Sequence, residues 1–179
     1  FVQRAFEPDA GFDRLGFIAV VRTAVRMLDN VLDVTWWPLP EQRREAMNKR
    51  RIGLGFLGLG SALVMLGIRY DSEQGLAFGA RVAQVMRDEA YRASVDLADD
   101  KGAFPALDAQ RYLQSGFARR LPDDIRSAVA ERGIRNSHLL SIAPTGTIAL
   151  AFADNASNGI EPAFAWSYTR RKRMADGSA

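Results

Sequence analysis

Two hydroxyls flank one glycine in Pro144-Thr145-Gly146-Thr147, and apolar runs lie on both sides, "SHLLSIA" before and "IALAFAD" after. A chain that passes there from a strand into a helix start exposes backbone N–H groups that have no partner. Those donors, with the positive end of a helix dipole, suit an anion. Thr145 or Thr147 would add a hydroxyl donor, and Gly146 would let a ligand come close to the backbone. The same residues also read as punctuation, with Thr145 as an N-cap and Gly146 as a turn residue. No Gly-Lys-Ser/Thr follows, so the complete phosphate-loop motif is missing.

Other chemistry-bearing residues are sparse. There is no cysteine, which removes disulfides, thiolate metal ligands and a thiol nucleophile from this chain. His138 is the single histidine, so a His-based metal site or a Ser-His-Asp triad is not expected, and it reads as a structural residue. "GLGFLG" (53–58) matches Gly-x-Gly-x-x-Gly, and Glu73 follows Gly53 by 20 residues. The preceding "AMNKRR" is no hydrophobic strand, so the dinucleotide context fails and helix-packing glycines are the expected reading. Basic clusters stand at Arg43/Arg44, Lys49/Arg50/Arg51, Arg119/Arg120 and 170–173. No aromatic stacking platform accompanies them, so they read as solvated faces rather than a nucleic-acid interface, and the last also suits a charge-protected edge strand. Trp36 and Trp37 read as packing residues.

The elements that must position these residues are mostly helical. Residues 11–34 carry Leu15, Ile18, Val21, Val25, Leu28 and Leu32 at helical spacing, with Asp13 at the first turn and Pro38 and Pro40 beyond the end. A short polar helix or turn follows at 41–51. Residues 52–68 are apolar on all sides, and a buried helix fits their second half. The longest periodic stretch is 73–99, where Leu76, Val82, Val85, Met86, Ala90 and Val95 share a face. After a loop, a short helix and a turn, 123–132 is helical with Gly133 as its C-cap. Residues 137–143 and 163–171 read as strands, "IALAFAD" as a short helix, and Asn158-Gly159 as a turn. Two strands make no stable sheet alone, so the chain is expected to be part of a larger α/β structure.

The totals agree. The chain has 179 residues, 47% of them hydrophobic, which is the globular range and suggests one unit over 1–179. No run is long enough to span a membrane, and neither a basic-then-apolar leader nor an initial Met opens the chain, so a fragment is expected. The net charge of +3 permits contact with phosphates without requiring it.

The segment "RGIRNSHLLSIAPTGTIALAFADNASNGIEPAFAWSYTRR" resembles the catalytic large subunit of ribonucleotide reductases, through "RNS", "APTGT" and "NGIEP" at that spacing. "RRIGLGFLGLGSALVMLGIRYDS" upstream is similar to a second segment of the family, in the same order. The resemblance runs over about 12–176, and its form is most like the adenosylcobalamin-dependent, class II branch; the alternative is class I, with a separate radical-generating subunit.

The resemblance implies an α/β fold: a mostly helical fragment of a ten-stranded barrel built around a finger loop that bears a thiyl-radical cysteine. It implies reduction of a ribonucleotide 2′-OH through a substrate radical, with a cysteine pair supplying electrons. Adenosylcobalamin is the implied cofactor, bound mostly outside this segment. Implied partners are the ribonucleotide, the rest of the catalytic chain, a second copy of the parent and an external dithiol reductant such as thioredoxin, in the cytoplasm. Substrate-phosphate binding carries onto Pro144, Thr145, Gly146, Thr147 and Ile148, and "GLGFLG" becomes a structural barrel segment. The family needs at least three cysteines and this chain has none, so it can form one wall of a site but cannot react alone. The competing expectation is a helical interaction module with no ligand.

Overall fold

The computed structural model describes residues 1–149, 151, 157–163 and 165. It begins with a hairpin, β1 (Val2–Gln3) antiparallel to β2 (Gly11–Phe12), in the register Val2 to Phe12. Nothing in the sequence periodicity announced so short a pair. Helix α1 (Arg14–Val34) follows at once, capped by Asp13, whose carboxylate accepts from the Gly16 amide at 3.0 Å. Its buried stripe is Phe17, Val21, Val25 and Asp29. Leu15 was expected on that stripe and is exposed instead. Phe17 takes the inward position, 5.3 Å from the Phe1 ring and 5.4 Å from Phe12, and two residues of helix turn Leu15 to the other side.

Pro40 opens α2 (Pro40–Lys49), and Arg50 ends it in the left-handed region at φ +45°. Residues 52–58 are not helical. They are extended beside 138–141, with Leu54 in a parallel bridge to Leu140 and with Leu54 N–H donating to the Leu139 carbonyl at 2.8 Å. The glycines of "GLGFLG" therefore serve close packing from an extended segment, not from a helix as expected. A Cβ on Gly55 would lie 2.2 Å from the Ser141 carbonyl oxygen. Only α3 (Leu59–Met65) is helical in this stretch, in its second half as expected.

Helix α4 (Glu73–Lys101) is the spine, started by Ser72, whose hydroxyl accepts from the Gly75 amide. Leu76 lies off its buried face and is exposed, while Val82, Val85, Met86, Ala90 and Val95 are buried as expected. Helix α1 packs along α4, with Arg22–Asp96 and Arg26–Asp100 pairs at the seam. Short α5 (Ala109–Leu113), a 3-10 turn (Ala118–Arg120) and α6 (Asp123–Arg132) cover the other side. Gly133 ends α6 at φ +75°, a conformation that favours glycine.

The expected strand at 137–143 reaches only the single bridge at Leu140, because the described partner segment beside it is short. Helix α7 (Gly146–Ala149) begins two residues before the expected "IALAFAD" helix, and most of that helix and of the strand at 163–171 lies outside the described residues. Among the described residues the architecture is thus mostly helical, with one two-stranded hairpin and one bridge.

Candidate functional site

The 144–148 turn is surface chain held from beneath. Pro144, Thr147 and Ile148 are exposed, and Thr145 and Gly146 are half-buried. A Cβ on Gly146 would meet nothing within 4 Å, so the space above it is open. Among the described residues the amides of Gly146, Thr147 and Ile148 find no acceptor. Thr145 is not the side-chain cap that sequence reading allowed. It sits in the left-handed region at φ +53°, and its hydroxyl donates to the Asn158 carbonyl at 2.9 Å. That hydroxyl is therefore engaged with protein, while the Thr147 hydroxyl has no partner among the described residues. Over its described residues α7 has four residues, so few peptide dipoles align there, and the open amides are its stronger asset toward an anion.

The turn rests on residues 157–161, the "SNGIE" stretch. The Gly159 carbonyl accepts from the amides of Gly58 and Leu59 at the start of α3. Glu161 folds back so that its carboxylate accepts from the Gly159 amide at 2.9 Å. The backbone amides of Glu161 and Gly159 hold that carboxyl below its ordinary value. Segment 53–60 thus meets 141–149 and 157–161, two neighbouring stretches far along the chain from it.

The "RNS" triplet does something else. Asn136, 0% exposed, donates through Nδ2 to the Asp29 carboxylate and to the Arg50 carbonyl, both at 3.0 Å, and accepts from the Ser94 hydroxyl at 2.9 Å. Arg50 donates through Nε to Asp29 at 2.8 Å and pairs with Asp33. Arg135 reaches Asp29 and donates to the carbonyls of Lys101 and Gly102 at the end of α4. Burial pushes the Asp29 carboxyl up, but the Arg50 hydrogen bond and the charges of Arg135 and Arg50 outweigh it and hold it below its ordinary value. Burial works against the Arg50 charge too, and Asp29 and Asp33 reverse it.

This hub was not foreseen, and Arg50 corrects the expectation that its basic cluster is a solvated face. A signal existed: Asp29 continues the Val21, Val25 spacing, and a carboxylate on a buried stripe needs a cation. Arg43, Arg44, Arg119 and Arg120 are exposed as expected, and 170–173 lies outside the described residues. Trp36 is 82% exposed, so it is not the packing residue expected, because the chain has already left α1 there. His138 contacts the Ser137 hydroxyl through Nδ1 at 3.0 Å and joins no acid among the described residues. No group of three or more potential metal ligands stands among the described residues, and no described helix is long and apolar enough to cross a membrane.

The described residues form a helical body on which the 144–148 turn is anchored, and comparison with known proteins gives the family. A sequence model of the ribonucleotide reductase barrel domain matches residues 1–178, and the chain belongs to that family. It is 41% identical over 159 residues to a vitamin B12-dependent ribonucleoside-diphosphate reductase of Mycobacterium tuberculosis, covering 89% of this chain and 20% of that protein. A protein of the same description from Thermoplasma acidophilum is 35% identical, over 89% of this chain and 18% of its own. The ribonucleoside-diphosphate reductase subunit alpha of Treponema pallidum is 32% identical, over 86% and 19%. The chain therefore spans about a fifth of the length of the relatives it matches.

Proposed function

We propose that the chain is one wall of the catalytic barrel of a ribonucleoside-diphosphate reductase, and that Pro144, Thr145, Gly146, Thr147 and Ile148 hold the substrate's phosphates. One observation carries the site: the turn is anchored from below by residues 157–161, while among the described residues its amides at 146–148 have no acceptor and nothing fills the space above Gly146. Donors fixed in place before the ligand arrives lose little freedom on binding, which favours a polyphosphate. The Gly146, Thr147 and Ile148 amides and the Thr147 hydroxyl are the donors; Thr145 shapes the turn. The competing reading, a helical module without a ligand, required a covered turn with satisfied amides, and the exposure of Pro144, Thr147 and Ile148 runs against it.

In this reading the remaining barrel, up to the ten strands of the family, and the radical and reducing cysteines lie in the rest of the parent chain. The parent works in the cytoplasm as a homodimer with an external dithiol reductant such as thioredoxin. Two of the relatives are vitamin B12-dependent reductases, which supports a cobalamin in the parent, and we take its adenosyl form, which supplies the radical. The described residues do not fit that group. A hollow of about 540 Å³ among them is walled mainly by side chains such as Phe12, Phe17, Phe56 and Met65, and offers few partners to a corrin's amide rim. No step is assigned to it here.

Titrating the chain with a ribonucleoside diphosphate should shift the amide resonances of Gly146, Thr147 and Ile148 before others. Shifts spread elsewhere, with none at this turn up to millimolar ligand, would refute a preformed cradle. In the full-length enzyme Gly146→Val fills the open space and should raise the substrate KM about tenfold or more, as loss of a charge-assisted contact does.

A further inference from the structure

We propose that residues 157–161 and the start of α3 form a clasp that positions the 144–148 turn, with Ser61, Ser157 and Gly159 as positioning residues. This rests on the phosphate reading of the turn. A β-branched residue at positive φ is strained and persists only where its surroundings over-determine it. Thr145 is such a residue, at φ +53°. What holds it is visible: its hydroxyl donates to the Asn158 carbonyl at 2.9 Å. The next residue, Gly159, lies so near that a Cβ there would be 3.3 Å from the Thr145 hydroxyl and 3.4 Å from the Pro144 carbonyl.

The loop is in turn tied to α3 at three points. The Gly159 carbonyl takes the Gly58 amide at 2.7 Å and the Leu59 amide at 3.2 Å. Ser61 and Ser157, both buried, bond reciprocally, the Ser61 amide to the Ser157 hydroxyl at 3.2 Å and the Ser157 amide to the Ser61 hydroxyl at 3.0 Å. Gly60 seats the loop, since a Cβ there would lie 2.5 Å from the Glu161 carbonyl oxygen. The path from α3 to the turn is therefore a short run of hydrogen bonds and close backbone contacts. Such a path fixes the strained turn, and hence the direction of its donors, at the cost of two buried hydroxyls that touch no ligand. Small displacements of positioned groups weaken binding strongly.

The test is made in the full-length parent enzyme. Ser61→Ala and Ser157→Ala each delete one half of the reciprocal pair. Each should raise the KM for a ribonucleoside diphosphate by about three- to tenfold with kcat held within about twofold, and the double variant should cost less than the product of the two. Ser157→Cys keeps the shape of the side chain, though not its exact size, and weakens the bond, so it should raise KM in the same way if an alanine variant fails to fold. If these variants keep the wild-type KM while Gly146→Val raises it, the turn binds phosphate and the clasp is wrong. If Gly146→Val also leaves KM unchanged, the phosphate reading itself has failed and the clasp falls with it. A loss confined to kcat also overturns the clasp.

Discussion

Asp29 stands four residues after Val25 on the inward stripe of α1 and is 0% exposed. A carboxylate there persists only because Arg50, Arg135, Lys101 and Asn136 all reach it. Asp29→Asn keeps the shape and removes the charge, which leaves the Arg50 guanidinium buried with less than its full compensation. It should lower the unfolding free energy at pH 7 by about 3 kcal/mol or more, read from urea unfolding, as breaking a buried pair does. The pH dependence has a definite sign. A carboxyl held below its ordinary value of 3.8 in the folded state stabilises fully above that value and loses this contribution as pH falls through the folded value. Wild-type stability should therefore drop on acidification below about pH 4, and the gap to Asp29→Asn should narrow over the same range. A gap that stayed constant to pH 2 would mean that the charge contributes nothing. The residue scale was also where sequence reading missed most. The stripe spacing of Asp29 was visible, but its partners come from three distant segments, and no local pattern links Ser94, Arg50 and Asn136. The turn at 144–148 and the helix start after it were legible because their signal is local. The engagement of the Thr145 hydroxyl by Asn158 was not, because it crosses 13 residues.

Helices were legible in proportion to their length and capping. Asp13, Ser72 and Gly133 stand at the ends of α1, α4 and α6, where their side chains or free φ satisfy terminal backbone groups. Asp13→Ala and Ser72→Ala should each cost about 1 kcal/mol in denaturant unfolding. The cost should be nearly additive, because the two caps share no partner. The stretch 52–58 was harder, since an apolar run without alternation suits a helix and a buried strand equally. What decides it is tertiary: the 138–141 segment supplies the hydrogen bonds, and Gly55 allows the approach. Gly55→Ala would put a methyl on the Ser141 carbonyl. It should destabilise by more than either cap change and should uncouple the Leu54–Leu140 bridge, seen as faster amide exchange at Leu54 and Ser141.

At the scale of the whole molecule, one face of α1 is left apolar and uncovered. Val20, Met27, Val31 and Val34 are exposed and recur at intervals of seven, four and three, with half-buried Ala24 in the same row. This is the spacing of a helix-packing seam, and it runs beside the Phe17, Val21, Val25 stripe, with Val20 and Ala24 bordering the apolar hollow that α4 also lines. Exposed Trp36 and Leu39 extend the apolar surface beyond the helix end. Contiguous apolar surface of this kind drives association when no partner covers it. The chain on its own should therefore self-associate with rising concentration, and its sedimentation coefficient should grow over the micromolar range. Met27→Lys with Val31→Lys puts two charges in the middle of the row without touching the buried stripe. The double variant should sediment as a monomer with its helix content and unfolding midpoint nearly unchanged. If it associated as the wild type does, the α1 row would not be the contact, and the apolar hollow lined by Phe12, Phe56 and Met65 would be the next surface to charge.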